Sequence, residues 1–487
     1  MEKLKQYRTK LNLTQKEVAE KLDISQQAYA LYENSDRTPS DEMLEKLAAI
    51  FNITKSELES KATEMEYRHI ESIEDFLLTS YTSYHSTRNI ESILKEDGFE
   101  RLYDYNEWNL KKGGKYYILK NQSAVIAFKI GNLSNYAFNI AGCHTDSPCL
   151  KVKGNTLIDS SEGKKINVEV YGGLILYSML DIPLKIAGRI IVNEDNKLVT
   201  KIVSSDFNVN IPSLCIHHNS TVNDSLTLNK QVDMLPLLGS NTDVYSLLSN
   251  GKEVIDADLY VVPDVKPYLS GVNKDLLVSP RLDNLTSAYA IAKAIIESNP
   301  KGIAIGYFSD NEEIGSGTKQ GASSMFLPDT LEKINRSLGF SKDDYNKAIA
   351  NGFALSIDNG HAVHQAHPEK SDISEKVYMN KGIVIKHHTN YSTDGLSSSI
   401  IKTIAKTNKI SYQDYYNRSD QRCGGTIGLI TSSQLEMNAC DIGLAQLAMH
   451  SAIETIGYND IKLMMELVKS YFNTSISTLD NYEIKLD

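Results

Sequence analysis

The sequence predicts an all-α module at the front, followed by an α/β domain that a mostly-β insertion interrupts. Three observations carry that prediction. Apolar residues recur at helical spacing over about the first 60 residues. From about Ile70, short apolar runs alternate with amphipathic stretches, as βα units around a largely parallel sheet require. Between about Leu150 and Val272 the alternation stops and β-type runs follow one another. With 487 residues the chain exceeds what one hydrophobic core holds, so two or three domains are expected. The boundaries read as 1–62, then 70–150 with 273–487, and 151–272 inserted.

In the front module, Leu4, Tyr7 and Leu11 share a helix face. Thr14 and Glu17 form a capping box that opens a second helix, whose Val18, Ala19 and Leu22 face inward. Asp23-Ile24 makes a tight turn, and Ser25 caps a third helix over Gln26 to Glu33. Pro39-Ser40 precedes a helix carrying Leu44, Leu47, Ala48 and Phe51, and five short helices are expected in all. Helix, tight turn and helix, with a polar start on the second, is the layout of a helix-turn-helix DNA reader.

In the long second part, AVIAFKIG and YAFNIAGCHTDSP read as strands, and LLVSPRLDNLTSAYAIAKAII as a turn feeding a helix. Ile303 to Phe308 is a buried strand running into SDNEEIGSGTKQG, and NGFALSIDN is another that ends at Asp358. GLAQLAMHSAIETIG reads as an amphipathic helix carrying His450. KINVEVYGG, LKIAGRIIVN and ADLYVV are the strands of the insertion. In α/β sheets the chemistry sits beyond the carboxyl ends of the strands. His144, Glu312, Glu313 and Asp358 all follow strand-like runs immediately.

Composition bounds the function. The hydrophobic share of 41% and charged share of 23% are those of an ordinary globular protein. A net charge of −11 disfavours broad nonspecific binding to nucleic acid or acidic membranes. The N-terminus has no apolar h-region, and the longest apolar run, Gly173 to Leu180, is far short of the ~20 residues that span a bilayer. No membrane association is expected. Cys143, Cys149, Cys215, Cys423 and Cys440 are odd in number and form no C-x-x-C pair. That argues against a disulfide framework or a thiolate zinc site, and a reduced cytoplasmic setting is expected.

The adjacent Glu312 and Glu313 raise a specific question. Neighbouring side chains point in different directions, so such a pair is suited to two jobs rather than one. A solvated acidic turn is the plain alternative. The other candidates are His144 and Asp146 in HTD, Asp283 in RLDN, Asp358 in SIDN and His450 in AMHS. Two histidines and several carboxylates suit a pair of zinc ions, with one carboxylate bridging. Taken singly, Asp283 could be a helix cap and His450 a buried helix histidine.

Two resemblances sharpen this. The stretch LTQKEVAEKLDISQQAYALYENSDRTPSDEMLEKLAAIF resembles the Cro/phage-repressor class. That resemblance implies that the helix beginning at Ser25 enters the major groove. It places Gln15, Gln26 and Gln27 at phosphate and base contacts, and makes Arg8 and Glu33 an internal ion pair. A module used for protein contacts stays open, because acidic residues outnumber basic ones in this segment.

The motifs AGCHTDSPCLKVK, EVYGG, IPSLCIHHNSTVN, SPRLDN, DNEEIGSGTKQGASS, SIDNGHAVHQAHPEKSD, NKGIVIK, CGGTIG and QLAMHS occur in one order. Together, from about residue 72 to near 475, they resemble the aspartyl aminopeptidase family of dinuclear zinc exopeptidases. The resemblance implies an α/β/α catalytic domain, a β insertion used for dimerisation, and two divalent ions, zinc above all. By position, Asp283 bridges the ions, His144 and Asp358 complete one set, and Glu313 and His450 the other. Asp146 orients His144, and Glu312 is the general base. His217 reaches a neighbouring subunit's site, and Lys386 lies near the substrate side chain, where it would favour Asp or Glu. The implied assembly is a homo-oligomer, a dodecamer in that family.

The chain departs from the family pattern at Leu174, Gln365, Ile383 and DQRCGGTIGL, all bordering the substrate pocket or subunit contacts. Every metal and base position is intact. The sequence therefore reads as a metalloaminopeptidase that removes single N-terminal residues, acidic ones by implication, from peptides. It carries a front module expected to bind DNA or a protein partner. The competing reading is a transcriptional regulator whose peptidase-like part senses peptides or amino acids, and a third is a scaffold.

Overall fold

A computed structural model describes residues 2–34, 36–59, 62–161, 163–479 and 483–487. Within the module expected over 1–62, Met1, Ser35, Ser60 and Lys61 lie outside the described residues. The chain divides into two compact units, Met1–Glu66 with Cys149–Asp264, and Tyr67–Pro148 with Val265–Asp487.

The first unit opens with the helices Glu2–Lys10, Gln15–Lys21, Gln26–Glu33, Asp41–Phe51 and Lys55–Glu59. Both predicted caps form: Thr14 and Glu17 close a capping box, and Ser25 Oγ accepts from the Ala28 amide. Leu4, Val18, Tyr29, Leu47 and Phe51 make the small core. The Arg8 guanidinium grips Glu33 through two bonds of 2.9 and 2.8 Å.

The insertion forms a six-stranded antiparallel sheet. Its order is Ala62–Glu64, Lys197–Val209, Leu184–Glu194, Val254–Pro263, Cys149–Ser160, Gly163–Tyr171. The first of these strands comes from the front module and pairs with Val203–Ser205 at the sheet edge. The Asn250 side chain brackets it, accepting from the Ala62 amide and donating to the Ala62 carbonyl, both at 2.9 Å. Lys10 reaches Asp243 at 2.9 Å, and Ser240 Oγ donates to the Glu57 carboxylate. The front module and the insertion, read from sequence as separate domains, thus share one unit. An open sheet edge offers unpaired backbone groups, and the front module supplies the strand that covers this one. The chain enters the second unit at Val265, before the expected 273, because Tyr268–Ser270 pairs with Leu276–Ser279 there.

In the second unit a nine-stranded sheet has four parallel strands at its centre: Asn438–Gly443, Phe353–Ile357, Phe138–His144 and Ile303–Ser309. The flanks are mixed rather than largely parallel. On one side Ala124–Ile130 joins antiparallel, because it forms a short hairpin with Lys115–Lys120. On the other, Ile383–His387 runs antiparallel to Asn438–Gly443. Side chains alternate between the two faces. Ala304 and Phe308 enter a core with the helices Leu282–Glu297 and Tyr458–Asn473, and Ile303, Ile305 and Tyr307 enter one with Phe326–Ser337. Burial on both faces explains why these strands read as continuous apolar runs.

One element differs in kind. The stretch GLAQLAMHSAIETIG, read as a helix, forms the strands Ala445–Leu447 and Glu454–Gly457 with a turn between them. Ala445 and Ile456 are buried, and an apolar stretch of this length fits a buried strand pair as well as a helix. His450 lies in the turn with φ +65°.

Candidate active site

Three of the four central strands deliver most of the site from their carboxyl ends. His144 closes Phe138–His144, Asp358 follows Phe353–Ile357, and Glu312 and Glu313 follow Ile303–Ser309 in a short turn over Glu312–Ile314. Asn311 at φ +61° and Gly315 at φ +95° bend the chain around that turn. The Asn311 side chain holds it, accepting from Thr318 and Gln320 at 2.8 Å.

His144 Nε2 stands 3.4 Å from Asp283 Oδ1 and 3.8 Å from Asp358 Oδ1. Its Nδ1 lies 3.1 Å from the Asp146 carbonyl oxygen, a bond that puts the proton on Nδ1 and leaves Nε2 free to act as a ligand. Asp146 has a second task. Its Oδ1 accepts from the Glu312 amide at 3.1 Å and its Oδ2 from the Glu313 amide at 3.2 Å. Asp283 enters at the irregular start of the helix Leu282–Glu297 and sits between two imidazoles, its Oδ2 being 3.5 Å from His450 Nε2. His450 Nε2 is also 3.4 Å from Glu313 Oε2.

The electrostatics call for cations. Asp283 Oδ1 and Glu313 Oε1 are buried with no hydrogen-bond partner. Burial, reinforced by Asp283, pushes Glu313 well above the usual carboxylate range. Burial also lifts Glu312 to about 7, with Asp358, Asp146 and Asp283 adding to it against the pull of His144. Burial alone would lower His450, but Asp283 and Glu313 raise it to about 10. Buried like charges without a counter-ion are costly, so these groups fit a metal centre. The ligand atoms of His144, Asp283 and Asp358 lie within 4.8 Å of one another, as do those of Asp283, Glu313 and His450. Nitrogen and carboxylate donors in threes, with a shared carboxylate, suit zinc.

Comparison with known proteins decides the family. Residues 76–472 match the aminopeptidase I zinc metalloproteases, M18. The chain belongs to the M18 family. Residues 4–58 match a helix-turn-helix family. A probable M18 family aminopeptidase 2 of Clostridium novyi is 38% identical over 420 residues, covering 82% of this chain and 97% of the relative. Ape4, solved in complex with Nbr1, superposes with a TM-score of 0.78 at 29% identity, covering 82% of this chain and 84% of that one. The S. cerevisiae mApe1 dodecamer gives a TM-score of 0.71 at 26% identity, covering 82% and 95%.

The protein is an M18 zinc aminopeptidase fused to a helix-turn-helix domain. His144, Asp146, Asp283, Glu312, Glu313, Asp358 and His450, expected from sequence to act together, lie in one cluster. Lys386 is close by but buried, not solvated. Its Nζ donates to the carbonyls of Asp358 and Asn359 at 2.9 and 3.1 Å and lies 3.9 Å from Asp358 Oδ2. His217 is elsewhere, exposed in the turn Cys215–Asn219 of the first unit. Ser25, Gln26 and Gln27 are exposed at the start of their helix, and Gln15 is half-buried and bonded to Glu33.

Sequence reasoning missed Glu454. Its Oε2 accepts from the Asp283 amide at 3.0 Å and its Oε1 from the His450 amide at 2.8 Å. Burial and the Asp283 charge raise it to about 8. A side chain to backbone bond between residues as distant as Glu454 and Asp283 leaves no pattern in sequence, and Glu454 was hidden in a supposed helix. Among the described residues, no helix is long and apolar enough to cross a membrane.

Proposed function

We propose that this M18 aminopeptidase holds two divalent ions and removes single N-terminal residues, acidic ones preferentially, with Glu312 as general base. The observation that carries this reading is the pair of orphaned oxygens, Asp283 Oδ1 and Glu313 Oε1, set among two imidazoles with Glu312 alongside. His144, Asp283 and Asp358 form one ligand set, and Asp283, Glu313 and His450 the other. Ions held there supply Lewis acidity toward the scissile carbonyl and make water easier to deprotonate. Glu312, its carboxyl lifted to about 7, accepts the proton of the attacking water and returns it to the leaving amine. Asp146 holds the Glu312 and Glu313 backbone, which keeps the two carboxylates on separate tasks.

Lys386 supports the acidic preference by its charge beside Asp358, and its two bonds to backbone carbonyls make it a fixed cation rather than a mobile one. His217 is assigned to a neighbouring copy in a homo-oligomer; its exposure is compatible with that role, and the mApe1 dodecamer is the pattern for the assembly. The front module is assigned to DNA in the cytoplasm, through Gln15, Ser25, Gln26 and Gln27. The test is hydrolysis of Asp-, Glu- and Leu-capped reporter peptides by metal-stripped protein, with zinc added back. Zinc-dependent turnover led by Asp and Glu is expected. A zinc-loaded protein that cleaves none of them overturns the enzyme reading in favour of a peptide sensor. Cleavage led by Leu removes the acidic preference alone.

A further inference from the structure

We propose that Glu454 is a positioning residue of the M18 centre: its buried carboxylate fixes the backbones of Asp283 and His450 and so sets the spacing of one ligand set. The inference rests on the reading of Asp283 and His450 as metal ligands.

Glu454 opens the strand Glu454–Gly457 and is paired with Ser279 of the strand Leu276–Ser279. Asp283 comes four residues after that Ser279, and His450 four residues before Glu454. One side chain therefore ties together the exit of one strand and the entry to its antiparallel partner. Both segments are irregular. Arg281 lies at φ +61°, Asp283 and Asn284 are off helical geometry, and Ala448 and His450 lie at φ +56° and +65°. Backbone in such conformations persists only where its surroundings hold it. The Asp283 amide, at the second residue of its helix, has no partner within the helix. Glu454 satisfies it.

A carboxylate is the side chain this task needs, since it offers two acceptor oxygens and no donor. Each oxygen takes one amide, at 3.0 and 2.8 Å, and only 2% of the residue is exposed to water. Asp146 repeats the arrangement across the site, with one oxygen on the Glu312 amide and one on the Glu313 amide. Asp283, Glu313 and His450 thus each have their backbone N–H held by a buried carboxylate. In the other set, the Asp358 amide donates to the Ile442 carbonyl of the regular sheet. Loss of Glu454 falls hardest on the set containing His450, where it holds two of the three ligands, and reaches the other set through Asp283 alone. Partners of this kind typically govern metal affinity or activity by roughly 10–100-fold.

The test is zinc binding by the full chain, measured by chelator competition together with the melting temperature of the metal-free protein and the split of kcat from KM. Glu454→Gln keeps size and one acceptor but turns an amide donor toward a backbone N–H. It is expected to fold, to bind one zinc roughly 10–100-fold more weakly, and to lose kcat with KM little changed. Should it fail to fold, Glu454→Asp withdraws the carboxylate by one methylene, and the same weakening is expected. Zinc affinity and kcat at the wild-type level in a folded variant overturn the proposal. His450→Ala separates the two levels of the argument. If it leaves both zinc sites intact, the ligand reading fails. If it loses a zinc while the Glu454 variants do not, only the positioning role fails.

Discussion

In the catalytic unit, His144, Asp283 and Glu313 are buried side chains gathered where strands end, and each meets an opposite charge within 4 Å. In the front module, Ser25, Gln26 and Gln27 stand exposed at a helix start, and several of the module's cations are already paired. Arg8 is bound to Glu33, Lys10 to Asp243, Lys46 to Glu42 and Lys55 to Asp41. The difference is instructive. Burial makes charge expensive, so the catalytic carboxylates and histidines need ions and fixed partners. With those cations paired, a single module is expected to hold phosphates weakly, and any strong DNA binding would draw on several copies in one assembly.

The largest effect is expected at the shared ligand. Asp283→Asn should lose zinc from both sets and drop activity to background, read by metal analysis and peptide turnover together. Zinc retention at the wild-type level would show that Asp283 bridges nothing. In the front module the strongest effect is structural. Glu33→Ala leaves the Arg8 guanidinium without its partner at a site where Glu33 itself is 2% exposed. A cost of about 3 kcal/mol to the module is expected, seen as an early unfolding transition with peptidase activity unchanged. A single, unshifted transition contradicts it.

On the reading face, Gln27→Ala should weaken sequence-specific DNA binding by about 1–3 kcal/mol and leave the salt slope alone. If the wild type binds no duplex even at low salt, the DNA reading falls and a protein partner replaces it. The smallest effect belongs to Lys10→Ala. Its exposed pair with Asp243 should contribute less than about 1 kcal/mol, so melting should move by only a degree or two. A large loss would mean that this pair, rather than the strand Ala62–Glu64, carries the attachment.

The sequence made the strand-end residues legible, because a buried strand reads as an apolar run and its first polar residues mark the site. The capping box at Thr14 and the cap at Ser25 were equally plain, since both are local. What escaped was non-local or ambiguous in period. The Gly443 to Ile456 stretch is apolar enough for helix or strand, so the turn that presents His450 was misread. Glu454 acts on one amide 171 residues away and on another four residues back in the misread stretch, and it carries no motif of its own. For Lys386, the bonds from its Nζ to the Asp358 and Asn359 carbonyls left no trace in the sequence. The union of the front module with the insertion depends on three residues pairing at a sheet edge, which no spacing announces.

The central claim is that two adjacent glutamates do different work, and Glu312→Gln against Glu313→Gln tests it most directly. Bound zinc per chain and kcat are measured for both. The account predicts that Glu312→Gln keeps its zinc and loses about 10²–10⁴ in kcat, while Glu313→Gln loses zinc from the set with Asp283 and His450. Equal zinc loss in both variants, or full zinc with full activity in either, would contradict it.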